Sequence, residues 1–435
     1  MDKTLNIPKT KKPRVIIIGG GFGGVSIAKE LVTRKDFQIV LIDRQNYHTF
    51  QPLLYQVSTS SLEPESIAYP LRKIVKRGKN TFFRMAEVLE VDTSKQEIKT
   101  NIGSINYDYL VIATGARTNF FGNKAIEQNA MRMKSVPQAL KLRSLMLENL
   151  EQAVITPNLE VRKELLNFVI VGGGPTGVEL AGGIAELREN VLPKDYPDMD
   201  FSEMEIHLIE GADRILPPMS AEASKNAKKF LEKLGVKIHF NTIVTNYENH
   251  IVSTNTNLEL KAATFVWSAG VTGAPINGIG GNALIEKANR YKVNEFNQVL
   301  GFENVFAIGD IALMQTEKYE RGLPMVAQPA IQQGSHLGKN LRALHNKKSL
   351  KAFKYFDKGS MATIGRNKAV VDLGKLRFGG FFAWFIWMFI HLVFLVGFRN
   401  KVVTLFNWVY NYINFDKASR LIITPFKAKE DTDVV

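Results

Sequence analysis

The 435-residue chain contains no cysteine. That excludes disulfides, thiolate zinc sites, cysteine-ligated iron–sulfur clusters and dithiol redox centres together. Histidine is scarce, seven in all, and none stands in an HExxH-type pair, so no metal site is expected. Acidic residues are in deficit, 42 against 56 Lys and Arg, leaving a net charge of +14. Such a surface suits nucleic acid or an anionic membrane face. No nucleic-acid reader motif accompanies the charge, so no nucleic-acid partner is expected. The first apolar run is a four-residue stretch leading into glycines, too short for a signal peptide. The body of the protein is therefore expected to stay in the cytoplasm.

What the chain does contain is a repeated unit. Val15–Ile18 is a short apolar run of the kind buried on both faces of a sheet. The spacing Gly19-x-Gly21-x-x-Gly24 follows, then a helical stretch to Leu31, a second strand over 38–42, and Asp43 at its end, 19 residues after Gly24. In this strand–turn–helix context the motif points to a dinucleotide. Gly19 makes the tight turn, Gly21 admits a pyrophosphate to the backbone, and Gly24 lets helix and strand pack closely. The phosphates meet the helix N-terminus, and Asp43 accepts the ribose hydroxyls.

The pattern recurs. Phe168–Val171 leads into Gly172-x-Gly174-x-x-Gly177, a helix over 178–187, and a strand over 206–209 closed by Glu210. An insertion at 190–203, with Pro193 and Pro197, lengthens the second spacing. Two further strands run parallel in design: one ends at Ala113-Thr114-Gly115, the other at Ser268-Ala269-Gly270. One such unit serves one cofactor. Two imply two dinucleotides held against each other, which is what hydride transfer from a nicotinamide to a flavin requires. Glu210 would repel a 2′-phosphate and so favours NADH over NADPH. The fold class is α/β, with two Rossmann-like units.

Several stretches sit between or beyond these units. Residues 46–56 are rich in aromatic and amide groups, fit either to wall a flat ring or to pack into a core. Residues 84–100 alternate loosely and read as an antiparallel meander. Ser135 is placed to cap a helix over 135–153. Gly309-Asp310 closes a strand over 304–308, where α/β folds bind ligands. Ala327-Gln328 then opens a helix whose N-terminus would stabilise a reduced flavin anion.

Gly379–Phe398 is a twenty-residue apolar run with His391 as its one ionisable group. A continuous helix of that length reaches about 30 Å at ~1.5 Å per residue, enough to span a bilayer. Behind it, Asn400, Thr404, Asn407, Asn411 and Asn414 fall on one helical face. Val402, Val403, Leu405, Phe406, Val409 and Ile413 fall on the others, with Trp408, Tyr410 and Tyr412 among them. That is an amphipathic helix with interface-loving aromatics. A buried or dimer helix, a spanning helix, and a helix pair lying in one leaflet all fit the run.

With these motifs in hand, the chain resembles the type II NADH dehydrogenases, single-subunit flavoenzymes that pass electrons from NADH to quinone. The resemblance rests on Gly19–Gly24, Ala113–Gly115, Gly172–Glu179, Gly309-Asp310, Ala327–Gly334 and the C-terminal region. It implies non-covalent FAD at Gly19, Gly21, Gly24, Asp43, Thr114, Gly115, Gly309, Asp310, Ala327 and Gln328. It implies NADH at Gly172, Gly174, Gly177, Glu179, Glu210 and Gly270. By motif position, Glu179 matches the family's acidic residue near nicotinamide and flavin, and Gln328 its glutamine near the quinone head. The domains implied are 1–125 with 290–350 for FAD, 126–289 for NADH, and 351–435 for membrane association.

The family favours monotopic attachment, here to the cytoplasmic face of the cell membrane, with a lipid surface and a membrane quinone as partners. A homodimer is expected. Ile390 and its neighbours are expected to line the quinone path. No intramembrane series of ionisable groups suggests proton pumping. Two rivals remain: an NADH-dependent flavoprotein reductase of a soluble electron-transfer protein, and a flavoprotein used as a binding or signalling module.

Overall fold

A computed structural model describes residues 4–414, 419–422 and 426; the rest of the expected membrane-association region to 435 lies outside the described residues. The chain begins with β1 (Arg14–Ile18), α1 (Phe22–Leu31) and β2 (Gln38–Asp43), followed by the short helix α2 (Leu54–Ser58) and strands β3 (Thr81–Met85) and β4 (Tyr109–Ile112). A three-residue strand β5 (Ala116–Thr118) leads out to the long helix α3 (Val136–Val154). Ser135 caps α3, its hydroxyl accepting from the Gln138 amide at 3.4 Å.

The second unit repeats the plan with β6 (Phe168–Val171), α4 (Pro175–Asn190), β7 (Ile206–Ile209), β8 (Val236–His239) and β9 (Thr264–Trp267). Strand β10 (Val271–Gly273) carries the chain back to β11 (Val305–Ala307) and helix α5 (Ala327–His345). The chain then forms a hairpin sheet, β12 (Ser360–Thr363), β13 (Ala369–Leu373) and β14 (Leu376–Gly379), and two helices, α6 (Phe381–Phe394) and α7 (Phe398–Asn414).

The first sheet has the order β11-β4-β1-β2-β3, the second β8-β7-β6-β9, and both are parallel. Parallel strands must be covered on both faces, which is why their sequences are continuously apolar. Alternation along β1 distributes the two faces. Val15 and Ile17 pack with Ile27 and Leu31 of α1 and Leu337 of α5, while Ile16 and Ile18 pack with Val91, Ile98 and Ile105. The latter residues belong to an antiparallel meander over 88–106, so Arg84 and Met85 are part of the parallel sheet and not of the meander. The second sheet is built alike: Phe168 and Ile170 meet α3 and α4, and Val169 and Val171 meet the meander residues Tyr247 and Val252.

The twenty-residue apolar run is not one helix. Helix α6 ends at Phe394, having 14 residues, about 21 Å at ~1.5 Å per residue. The break falls at Gly397, whose φ of +92° belongs to the left-handed region and whose missing Cβ would stand 2.4 Å from the Tyr69 ring. No helix among the described residues is long and apolar enough to cross a membrane.

Helix α7 is amphipathic with its polar side turned inward. Asn400 donates to the Glu65 and Ala68 carbonyls at 3.1 and 2.8 Å, Asn407 to Glu63 at 2.6 Å, and Asn411 to the Ser61 carbonyl at 2.9 Å. Trp408, expected on the outer face with the interface aromatics, instead points into the body and donates to Gln56 Oε1 at 2.8 Å. Leu405, Phe406, Val409, Tyr410, Tyr412 and Ile413 face outward. On α6, Ala383 and Trp387 are buried, while Phe381, Phe382, Phe385 and Phe389 are exposed. The two helices thus present one contiguous series of exposed large apolar side chains, a pattern that marks an interaction surface.

Candidate functional site

Both glycine turns are built to seat an anion. At the first, a Cβ on Gly24 would meet the Gly19 carbonyl oxygen at 1.8 Å, so α1 lies hard against the strand end. A Cβ on Gly21 would meet nothing within 4 Å. Gly21 is also the N-cap of α1 and supplies no side-chain cap, and the first turn holds no acidic residue. The positive helix end therefore faces open space. The second turn matches it: Gly177 would meet the Gly172 oxygen at 1.9 Å, Gly174 has open space, and α4 starts uncapped. These two cradles fit the pyrophosphates of two dinucleotides.

The acidic residues sit where the motif requires. Asp43 accepts from the Gly20 and Gln45 amides at 2.5 and 2.7 Å, and burial pushes its carboxyl up against that pull. Glu210 accepts from the Gly173 and Ala212 amides at 2.6 and 2.8 Å. Each carboxylate thereby braces its own turn.

Helix α5 is brought to the first turn by close crossing with α1. A Cβ on Gly334 would meet the Gly23 oxygen at 2.5 Å. Gln333 accepts from the Gly309 amide at 2.8 Å, locking the Gly309-Asp310 turn onto the helix. Burial pushes the Asp310 carboxyl up, opposed by the charges of Lys134 and Arg290. So Gly19–Gly24, Asp43, Gly309, Asp310 and the N-terminus of α5, with Ala327, share one end of the first sheet.

Thr114 donates to the Ala274 carbonyl at 2.7 Å, and β5 pairs antiparallel with β10. This ribbon joins the two units. Asn119, just past β5, donates to the Gly270 carbonyl at 3.3 Å, and Ala274 donates to the Gly115 carbonyl at 3.1 Å. Gly115 and Gly270, the strand-end glycines of the two units, are therefore about 13 Å apart along the ribbon, at ~3.3 Å per residue.

Glu179 and Gln328 each hold the segment that starts the C-terminal region, at different points. Gln328 donates to the Gly359 carbonyl at 2.9 Å and accepts from the Lys358 amide at 3.1 Å. Glu179 accepts from the Thr363 amide at 3.4 Å. Burial raises the Glu179 carboxyl from the ordinary carboxylate range to about 8. The Thr363 amide and the nearby Trp387 indole work against that rise.

Beside Glu179 lies a cleft of about 800 Å³, counting its open mouth, with the Glu179 partners Thr363 and Trp387 in its wall. Tyr55 and Gln56 of α2, Glu186 of α4, Thr363 and Arg366 of the hairpin sheet, Trp384, Trp387 and Met388 of α6, and Trp408 of α7 line it. Ile390 is not among the lining residues; its neighbours one turn earlier are. A directed series of hydrogen bonds crosses the wall: Trp408 donates to Gln56 Oε1, and Gln56 donates to the Tyr55 hydroxyl at 2.9 Å. Of the aromatic stretch, Tyr55 walls the cleft while Phe50 is buried in the core, so both readings of that segment hold in part. His391 bonds the Trp387 carbonyl at 2.8 Å, and burial lowers it to about 4. Sequence reasoning expected an entry path beside Ile390 but missed the walls from α2 and α4, although the Gly182-Gly183 pair inside α4 is a cue. A Cβ at Gly182 would meet Gly365 at 2.9 Å and one at Gly183 would meet Thr59 at 3.1 Å, so the pair lets the cleft walls approach.

Two uncapped glycine turns, on parallel sheets joined by a short ribbon, fit a two-dinucleotide α/β oxidoreductase. Comparison with known proteins agrees. The family model described as pyridine nucleotide-disulphide oxidoreductase matches residues 13–334, and that of the NDH2 C-terminal domain matches 358–414. The type II NADH:quinone oxidoreductase Ndh of Mycobacterium tuberculosis is 37% identical, over 96% of this chain and 92% of that protein. The type II NADH:quinone oxidoreductase of Haemophilus influenzae is 30% identical, over 84% and 88%. In fold, the chain superposes on NDH2 from Plasmodium falciparum, solved in complex with NADH, with a TM-score of 0.86 at 23% identity, covering 95% of this chain and all of that one. The chain belongs to the type II NADH:quinone oxidoreductases.

Proposed function

We propose that this chain carries out NADH:quinone oxidoreduction with FAD seated in residues 1–125 and 290–350, NADH admitted to 126–289, and 351–435 set against the membrane. The proximity of Gly115 and Gly270 at the two ends of the ribbon carries this reading, because a dinucleotide on each sheet then meets the other across it. The chemistry supplied by bound FAD is a two-electron relay, with hydride in from NADH and electrons out to quinone. The protein positions its ligands and excludes water.

In this reading Gly19, Gly21 and Gly24 seat the FAD pyrophosphate, and Asp43 its ribose. Thr114, Gly115, Gly309, Asp310, Ala327 and Gln328 border the remainder. Gly172, Gly174, Gly177, Glu210 and Gly270 do the same for NADH. Glu179 holds a proton beside the reacting end, and Gln328 fixes the segment Lys358–Gly359 near the quinone head. The net reaction joins NADH, one proton and a quinone to give NAD⁺ and a quinol. The lined cleft between α2, α4, α6 and α7 leads from the exposed apolar face toward Thr363 and Glu179, and supports entry of a lipophilic acceptor there. A soluble carrier as acceptor finds no support among these relatives.

The outward apolar sides of α6 and α7 support peripheral, monotopic attachment; the cytoplasmic face and a homodimer are part of the same proposal and rest on the family resemblance alone. Phe406 and Ile413 are 69% and 70% exposed. Phe406→Glu with Ile413→Glu is expected to weaken binding to anionic vesicles at least ten-fold, read by co-sedimentation, with secondary structure unchanged.

The reaction itself is tested by following flavin absorbance in the detergent-solubilised protein. NADH should bleach it and a short-chain quinone should restore it within each turnover. Bleaching that quinone fails to reverse would transfer the assignment to a soluble acceptor.

A further inference from the structure

The glycine turns and strand ends of the two units correspond, and at one of these positions they differ. Each ends its central-sheet neighbour strand in a glycine of positive φ: Gly115 at +72° after β4 and Gly270 at +75° after β9. A Cβ on Gly115 would meet nothing within 4 Å. A Cβ on Gly270 would meet the Phe121 ring, with Cζ at 2.6 Å and Cε2 at 2.9 Å. The second unit thus carries an aromatic ring over a position that the first leaves open.

Packing accounts for little of this ring. Phe121 meets Trp267 only edge-on, with ring centroids 6.4 Å apart, and is 69% exposed, whereas its neighbour Phe120 is buried against the same indole. Phe121 also has φ +52°, a conformation unfavourable for a bulky side chain. The turn is held there by several bonds. Asn119 accepts from the Phe121 amide through its side chain at 2.9 Å, and from the Trp267 indole through its carbonyl at 2.9 Å. Asn119 also donates to the Gly270 carbonyl. An exposed aromatic fixed in a costly backbone conformation at the mouth of a site indicates a ligand contact.

The sheet order says which part of the ligand. Glu210 ends β7 on one side of β6, and Gly270 follows β9 on the other. With the adenosine ribose at Glu210 and the pyrophosphate over the Gly172–Gly177 turn, the nicotinamide half extends over Gly270, toward the ribbon and the first unit. We propose that Phe121 is the aromatic contact for the nicotinamide half of NADH, lying across Gly270 as a platform that the entering substrate stacks upon. This rests on the second unit being the NADH site. It also gives the asymmetry a reason: the first unit retains its dinucleotide, whereas the second exchanges one at every turnover.

Phe121→Gly removes the ring and relaxes the backbone, so thermal stability should hold or rise. In the oxidised holoenzyme, NAD⁺ binding measured by calorimetry should weaken about ten-fold, the upper range for one aromatic contact. ADP, which lacks the nicotinamide half, should bind equally to both proteins. The KM for NADH should rise with kcat little changed. Phe121→Trp should keep near-normal affinity, and its added indole emission should be quenched by NAD⁺. Equal NAD⁺ affinity in wild type and Phe121→Gly, or an equal loss for ADP, would overturn the proposal while leaving the NADH site where it is. Failure of the wild-type holoenzyme to bind NAD⁺ at all would remove that reading as well.

Discussion

Gly24→Ala should yield protein without flavin, and Gly177→Ala should yield protein that keeps its flavin but cannot be bleached by NADH. The cause is the same in both. A methyl group at Gly24 would stand 1.8 Å from the Gly19 carbonyl oxygen, and one at Gly177 would stand 1.9 Å from that of Gly172 and 2.9 Å from Ser268 Oγ. Those carbonyls are backbone atoms of the turns themselves, so the only relief is for α1 or α4 to slide off its strand. The uncapped helix end then no longer points at the pyrophosphate seat, and the anion loses its amides and much of the dipole. A fall in affinity of a hundred-fold or more is expected, because the whole phosphate seat moves and not one contact. The damage should stay local. The helices pack in separate cores, α1 with Val15 and Ile17 and α4 with Phe168 and Ile170. Visible absorbance of the purified variants and calorimetric titration with NAD⁺ would read the two losses independently. The reverse pattern, with Gly24→Ala yellow but blind to NADH, would mean that the two sheets exchange their ligands.

This pair was legible in the sequence because glycine spacing, strand and helix are all local. The acidic residues followed for the same reason: Asp43 and Glu210 each end the strand next to their own turn. What local pattern cannot give is the neighbour across space. The wheel of α7 separates an asparagine stripe from an apolar one, but it does not say which meets protein. The carbonyls of Ser61, Glu65 and Ala68, far away in the chain, decide that the asparagines turn inward. Trp408 goes in with them because Gln56 offers its indole an acceptor, and a buried indole N–H needs one. The break at Gly397 was likewise hidden inside an apolar run, since it is set by contact with Tyr69. Phe121 could not be singled out at all: only its place over Gly270 distinguishes it from Phe120 beside it.

Glu179→Gln should change both the enzyme's stability, through burial alone, and its pH profile, which a merely structural glutamate would leave unmoved. The carboxyl is buried and its proton is retained to about pH 8, desolvation outweighing the Thr363 amide. Between the ordinary carboxylate range and that value the folded protein keeps a proton that the unfolded chain loses. Stability is therefore fully present at acid pH, falls as pH rises toward about 8, and levels off above it. The whole difference is at most about 5 kcal/mol, from ~1.4 kcal/mol for each tenfold change in proton affinity. Glutamine mimics the protonated form and carries no such penalty. The variant should match wild type near pH 5 and melt several degrees higher at pH 9, in thermal unfolding of the holoenzyme. Activity should move the other way. If the proton on Glu179 serves the acceptor, turnover in wild type declines above about pH 8, and the variant is slower by about a hundred-fold at neutral pH with that alkaline decline gone. A variant with full turnover and an unchanged alkaline limb would leave Glu179 as a brace for Thr363 alone. A variant that gains alkaline stability and loses turnover would place stored proton and catalysis in one side chain, a carboxyl kept neutral by the same burial that sets it beside the hairpin and the cleft.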